Sequence, residues 1–479
     1  MLKLFFKNTF VYTIGGALTR GVAIFLLPIY TNYLSPAEYG IIDLFIVIAS
    51  IVNIIIALEI SQGIARYYQD AKDEKEKAEY TSSAFWFTCL AYLLFLSISL
   101  VFSNTFTIWL LGDFSKQNIF LLAIFAIATN GIFYFTRNQL KWQIQAKDSV
   151  LTDLVNVLIV ASVAVYLLII EDLKLESIFI GQIAGNIISS FVAILYAKKS
   201  YRFTFCISKI KEMVSYSMPL VFSSIGVFIA VYIDRIAIKD LLGLDDLGIY
   251  GIAYRFAAVA FFVIAGFQKS LAPLVFKYYK EKNTPSDISK IFDIFAIFAL
   301  VVVSGTILFD QELVVLFTTE AYYGSSSLIP ILTMAVFFSN MYIFAPGIAI
   351  AKKTELILMI TTSSAILNAI LNYNLIPIFG LNAAAYATLI SSVSAFLFYT
   401  ILSHRFYPIF YQVKTLLFSF ALMLITSYGL TSIFHEINII SITVKMTYLV
   451  LVPICCSLFL LEKKYLQKIK LKISNKIFK

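Results

Sequence analysis

Apolar runs of twenty or so residues, cut by short charged or turn-forming segments, recur along the whole chain. A helix needs roughly 20 such residues to cross the hydrocarbon of a bilayer. Fourteen candidate spans follow: 9–33, 39–62, 81–103, 118–137, 151–170, 175–197, 213–238, 247–272, 289–310, 326–350, 355–375, 381–403, 415–434 and 441–461. The pattern predicts an all-α polytopic membrane protein of about 14 transmembrane helices with short loops.

The pattern also repeats. Leu34, Glu38, Gly40 and Ile41 align with Leu242, Asp246, Gly248 and Ile249 at a constant offset of 208 residues. Ala65-Arg66-Tyr67-Tyr68 is echoed by Phe276-Lys277-Tyr278-Tyr279. Spans 1–6 and 7–12 therefore read as two parallel six-helix repeats forming two lobes, an architecture that holds substrate between its halves. The expected divisions are 1–205 for the first lobe, 206–405 for the second, and 406–479 for two extra helices and a basic tail.

Charge sets the orientation. With the N-terminus in the cytoplasm, 30 of the 37 Lys and Arg fall in inside segments and four (Lys116, Lys174, Lys239 and Lys445) in outside turns or their margins. That excess predicts cytoplasmic N- and C-termini. It also explains the formal charge of +9 without nucleic acid as a partner. With 60% hydrophobic and 14% charged residues, the chain has no room for a sizeable soluble domain. The first run is too long for a signal-peptide core and reads as a retained span. The basic tail after Leu461 reads as an orientation signal, with an amphipathic strip on anionic lipid as the alternative. Cys89, Cys206, Cys455 and Cys456 suggest no disulfide framework, and His404 and His435 have no ligand-spaced partners, so no metal site is expected.

Three arginines remain inside spans: Arg20, Arg235 and Arg255. Arg20 sits about twelve residues into the first span, near the midplane at ~1.5 Å per residue. A cation at that depth needs a wet cavity, an acid or a substrate. Asp234 and Arg255 are equally far from the turn centred between Leu244 and Asp245, which suggests a depth-matched ion pair. Asp234 and Arg235, being adjacent, are not expected to face each other, so that pair leaves Arg235 to point into a central cavity. The alternative is that all three line an anion path, with Asp234 as a protonatable switch. Glu59, Asp153 and Lys269 are weaker candidates, near the inner ends of their spans. Asn53, Asn130, Asn156, Gln182, Asn186, Asn340, Asn368 and Asn372 are expected to join helices. Pro28, Pro219, Pro273 and Pro346 are expected kinks.

The stretches Asn8–Tyr30 (NTFVYTIGGALTRGVAIFLLPIY), Thr31–Leu44 (TNYLSPAEYGIIDL) and Tyr232–Tyr250 (YIDRIAIKDLLGLDDLGIY) carry a resemblance. The chain resembles the polysaccharide transporters, the O-antigen and repeat-unit flippases of the multidrug/oligosaccharidyl-lipid/polysaccharide exporter superfamily. The resemblance implies a bacterial inner-membrane flippase, not an enzyme. It would carry an undecaprenyl-diphosphate-linked oligosaccharide, such as an O-antigen unit for lipopolysaccharide, to the outer leaflet by ion-coupled alternating access. It implies no cofactor beyond coupling to H+ or Na+. Besides the lipid-linked glycan and membrane lipids, a polysaccharide polymerase and a chain-length regulator are implied partners. Arg20, Arg235 and Arg255 would offer donors to phosphate or acidic sugars. No GxxxxGK[ST] phosphate loop is present. The alternatives are a multidrug or cation antiporter, or a lipid II flippase, of the same superfamily. A membrane polymerase or ligase fits less well, because the outside loops are short and no acid–His grouping offers catalytic residues.

Overall fold

The computed structural model describes residues 15–460, apart from 17, 20, 23, 69, 262–263, 265–266, 269–270, 272–273 and 276–277. The described chain is helical, without strands, and eleven of its helices are long and apolar enough to cross a membrane. It is an all-α, multi-pass membrane protein. Expected spans 1 and 8 run into residues outside the described set. Contacts partition the chain into residues 1–235 and 236–479, a division that falls inside one long helix.

Unit 1 comprises α1 (Leu27–Tyr33), α2 (Pro36–Ile56), α3 (Ile60–Tyr67), α4 (Glu74–Val101), α5 (Ser103–Leu111), α6 (Gln117–Trp142), α7 (Ala146–Ile169) and α8 (Lys174–Tyr196), with most of α9 (Ile207–Leu241). Helix α2 begins in a capping box. Ser35 Oγ accepts from the Glu38 N–H, Glu38 accepts from the Ser35 N–H, and Pro36 opens the first turn. Helix α4 starts seven residues before its apolar run because Asp73 caps it, its carboxylate accepting from the Glu76 N–H at 2.7 Å.

The expected span 39–62 is corrected. It breaks between α2 and α3, where Leu58 and Glu59 both adopt left-handed conformations. Such a conformation costs a non-glycine residue on the order of 1–3 kcal/mol, so something must hold it. Helix α9 does: Ser217 Oγ donates to the Leu58 carbonyl at 2.6 Å, and Ser224 Oγ donates to Glu59 at 3.2 Å.

Small residues let α7 and α8 approach closely. Gly181 and Gly185, four apart on α8, lie so near Val160 and Ala164 that added β-carbons would fall 2.9 and 2.4 Å from α7 atoms. Asparagines then join the helices as their positions suggested. Asn156 donates to Asn186 at 3.1 Å, Asn186 donates to Thr129 Oγ1 at 3.3 Å, and Asn53 donates to Asn130 at 3.3 Å.

Unit 2 holds α10 (Leu244–Ala257), α11 (Thr284–Leu308), α12 (Asp310–Phe317), α13 (Leu328–Asn340), α14 (Gly347–Ile350), α15 (Thr354–Phe379), α16 (Leu381–Phe406), α17 (Val413–Ile433) and α18 (Ile439–Leu460). The expected span 326–350 stands as Leu328–Ile350 but is interrupted inside: a 3-10 turn over Met341–Phe344 and Pro346 separate α13 from α14. Pro219 lies inside the continuous α9, Pro28 lies in the first turn of α1, and Pro273 falls outside the described residues. Phe292, Phe295, Phe337 and Phe344 form a chain of edge and tilted ring contacts, and the Tyr411 hydroxyl donates to the Phe344 carbonyl. Asn340 accepts from Gln268 at 3.2 Å, and Asn372 donates to the Asn368 carbonyl at 2.9 Å.

Candidate functional site

The charged stretch on α9 enters unit 1 against α2. Arg235 is 5% exposed, Asp234 3% and Asp43 5%. Arg235 Nε donates to Asp43 Oδ2 at 3.0 Å, and Arg235 Nη1 donates to Asp234 Oδ1 at 3.3 Å. Nη1 also reaches the Val231 carbonyl at 3.3 Å, and the guanidinium carbon lies 5.4 Å from the centre of the Tyr232 ring. The Tyr232 hydroxyl in turn accepts from Ser50 Oγ of α2 at 3.1 Å. Charge, cation–π and hydroxyl contacts thus bind α9 to α2 over nearly two turns.

Two expectations give way here. Asp234 and Arg235 do meet. Asp234 folds its carboxylate back onto the Arg235 N–H at 2.8 Å, and the long arginine side chain runs back over the preceding turn to the same oxygen. Neighbours that do not share a helix face can still be joined when one side chain is long enough to curl. Arg235 is also not left free to enter a cavity, because it is buried between two carboxylates.

Asp43 was not singled out by sequence, although it stands inside an apolar run, which is the signal that marked Asp234. Arg20 and Lys269 lie outside the described residues. Arg255 occupies the last turn of α10 in unit 2, half-buried. Glu59 sits at the α2–α3 break on Ser224. Asp153 of α7 accepts from Arg137 of α6 at 3.3 Å, so a cation counted only for orientation also pairs within the unit. In unit 2, Lys445 proves buried: its ammonium meets Glu312 Oε1 at 2.5 Å and ties α18 to α12. Among the described residues no group of three or more His, Cys, Asp or Glu could hold a metal ion.

Residues 5–279 match the family described as Polysaccharide biosynthesis protein, and residues 219–374 match the MatE family. No curated protein matches the chain. Among solved structures, the lipid II flippase MurJ in an inward closed conformation is 16% identical, with a TM-score of 0.75 over 94% of this chain and 98% of that one. An inward-facing multidrug resistance MATE transporter of the MOP superfamily is 14% identical, with a TM-score of 0.64 over 81% and 93%. A MOP superfamily transporter from Pyrococcus furiosus, described as having a binding pocket of reverse polarity, is 15% identical, with a TM-score of 0.56 over 84% and 95%. At these identities the likeness is one of fold.

Proposed function

We propose that this chain, which belongs to the polysaccharide biosynthesis protein family, is a flippase for an undecaprenyl-diphosphate-linked oligosaccharide in a bacterial cytoplasmic membrane. The family match over residues 5–279 carries the reading, and the multi-span helical fold is consistent with it. A surface-polysaccharide repeat unit, such as O-antigen, is the proposed cargo. Movement is by alternating access driven by H+ or Na+, with no bond made or broken.

A diphosphate needs multidentate cationic donors in a place where the lipid tail stays in the bilayer. Arg20 and Arg255 are the proposed phosphate contacts. Arg235 joins them only by exchanging Asp43 for a substrate oxygen, because the guanidinium already holds that carboxylate.

The test follows where the lipid-linked unit goes. Cells lacking the chain are expected to accumulate it on the cytoplasmic face, shielded from an externally added glycosidase. Returning the chain should clear it, and Arg20→Ala or Arg255→Ala should slow clearing at least tenfold. Normal exposure of the unit in cells without the chain would end the flippase reading. Accumulation of lipid II instead would transfer the cargo to that precursor. Glycan elongation by the purified chain would make it an enzyme.

A further inference from the structure

The segment between α8 and α9 is not a slack linker. Ser82 Oγ of α4 donates to the Ser200 carbonyl at 3.1 Å and accepts from the Arg202 N–H at 2.7 Å. Ser83 Oγ accepts from the Cys206 N–H at 2.9 Å, and Trp86 Nε1 donates to the Arg202 carbonyl at 3.2 Å. Gln143 at the end of α6 donates to Ser200 Oγ at 2.7 Å. Three side chains on neighbouring turns of α4 therefore satisfy the backbone of a strap that, after one 3-10 turn over Lys198–Ser200, has no regular secondary structure to do so.

What the strap holds outward is unusual for a polar loop. Phe203 is 95% exposed and stacks on Trp86 with ring centres 5.5 Å apart, and Phe205 is 49% exposed. The cations Lys198, Lys199 and Arg202 are exposed in the same short segment. A backbone fixed at both ends and the middle presents two aromatic rings beside three cations. In a membrane protein this belongs at the boundary of water and hydrocarbon, where aromatics settle among headgroups and basic residues meet their phosphates.

We propose that this strap is a binding site for an anionic phospholipid headgroup, with Phe203 and Phe205 set into the interface and Lys198, Lys199 and Arg202 on the phosphate. Charge complementarity selects the occupant: no carboxylate stands within residues 198–206. The nearby acids Glu76 and Glu79 are engaged by Lys209 at 3.1 and 3.5 Å. The proposal depends on the membrane-spanning fold and not on the transported cargo.

Trp86 reports on the site directly. A full-length chain carrying Trp109→Phe and Trp142→Phe keeps it as the sole tryptophan. In vesicles of phosphatidylcholine and phosphatidylglycerol, the lipid brominated on its chains is switched between the two at equal mole fraction. Brominated phosphatidylglycerol is expected to quench Trp86 more strongly, and Lys198→Gln/Lys199→Gln/Arg202→Gln to abolish the difference. Each cation near an anionic surface is worth about a factor of five, so the relative lipid affinity should fall by roughly tenfold to a hundredfold. Phe203→Ser should reduce quenching by both lipids while leaving the anionic preference. Equal quenching in the native strap, persistence of the preference in the triple variant, or no quenching by either lipid would each overturn the site.

Discussion

Arg235 shows how one side chain can decide the fate of two others. Asp43 and Asp234 are both almost fully buried, and both use its guanidinium. Removing the shared cation from buried carboxylates costs about 3–5 kcal/mol, whereas neutralising one of the two acids leaves the other still engaged. Arg235→Met should therefore lower the unfolding temperature of detergent-purified protein more than Asp43→Asn, which keeps an oxygen for Nε and should cost about 1–2 kcal/mol. The reverse order in a thermal melt would show that the pair is not the anchor its geometry describes. Half of this arrangement was visible in the sequence. A charge inside an apolar run identified Asp234 and Arg235, but their partner lies 192 residues earlier, and helix-face logic cannot report a side chain that curls along its own helix.

At the scale of elements, apolar length predicted most helices well, with α7, α8, α15 and α16 beginning within five residues of the expected spans. Departures have local causes. Capping by Asp73 carries α4 beyond its apolar run, paired left-handed residues divide α2 from α3, and Pro346 divides α13 from α14. Close helix contacts were not legible, because a glycine in a span looks the same whether it faces a neighbour or lipid. Gly347 and Gly429 separate the two cases. A β-carbon on Gly347 would fall 2.2 Å from the Ser403 backbone carbonyl, so α14 and α16 would have to part, while one on Gly429 meets nothing within 4 Å. Gly347→Ala should cost about 1–3 kcal/mol or more through overpacking, and also disturb the Gly347 N–H bond to Ser403 Oγ at 2.7 Å. Gly429→Ala, within α17, should be neutral or stabilise by up to about 1 kcal/mol. The melting temperature should fall for Gly347→Ala and stay level or rise for Gly429→Ala; equal losses in both would refute the packing argument.

For the whole molecule, the alternation of apolar runs and basic loops established a membrane protein, and the same charges make a cytoplasmic N-terminus the orientation to test. Cys206 gives a way to test that orientation. It sits in the strap between α8 and α9, on the side assigned to the cytoplasm by Lys198, Lys199, Arg202, Lys209 and Lys211. A hydrogen bond with Ser208, at 3.2 Å, and backbone N–H groups at the start of α9 favour the thiolate and hold the thiol below its ordinary pKa. Because the thiolate is the reacting form, a larger fraction is reactive at neutral pH than in a free cysteine. Labelling should accelerate as pH rises and level off earlier than for an unperturbed thiol. In a chain with the other three cysteines replaced by Ala, a membrane-impermeant maleimide should label Cys206 in inverted vesicles and spare it in intact cells, and Ser208→Ala should slow the reaction. Labelling from outside intact cells would invert the orientation. It would also place the cationic strap on the outer leaflet and reverse the direction in which the proposed cargo meets Arg20 and Arg255.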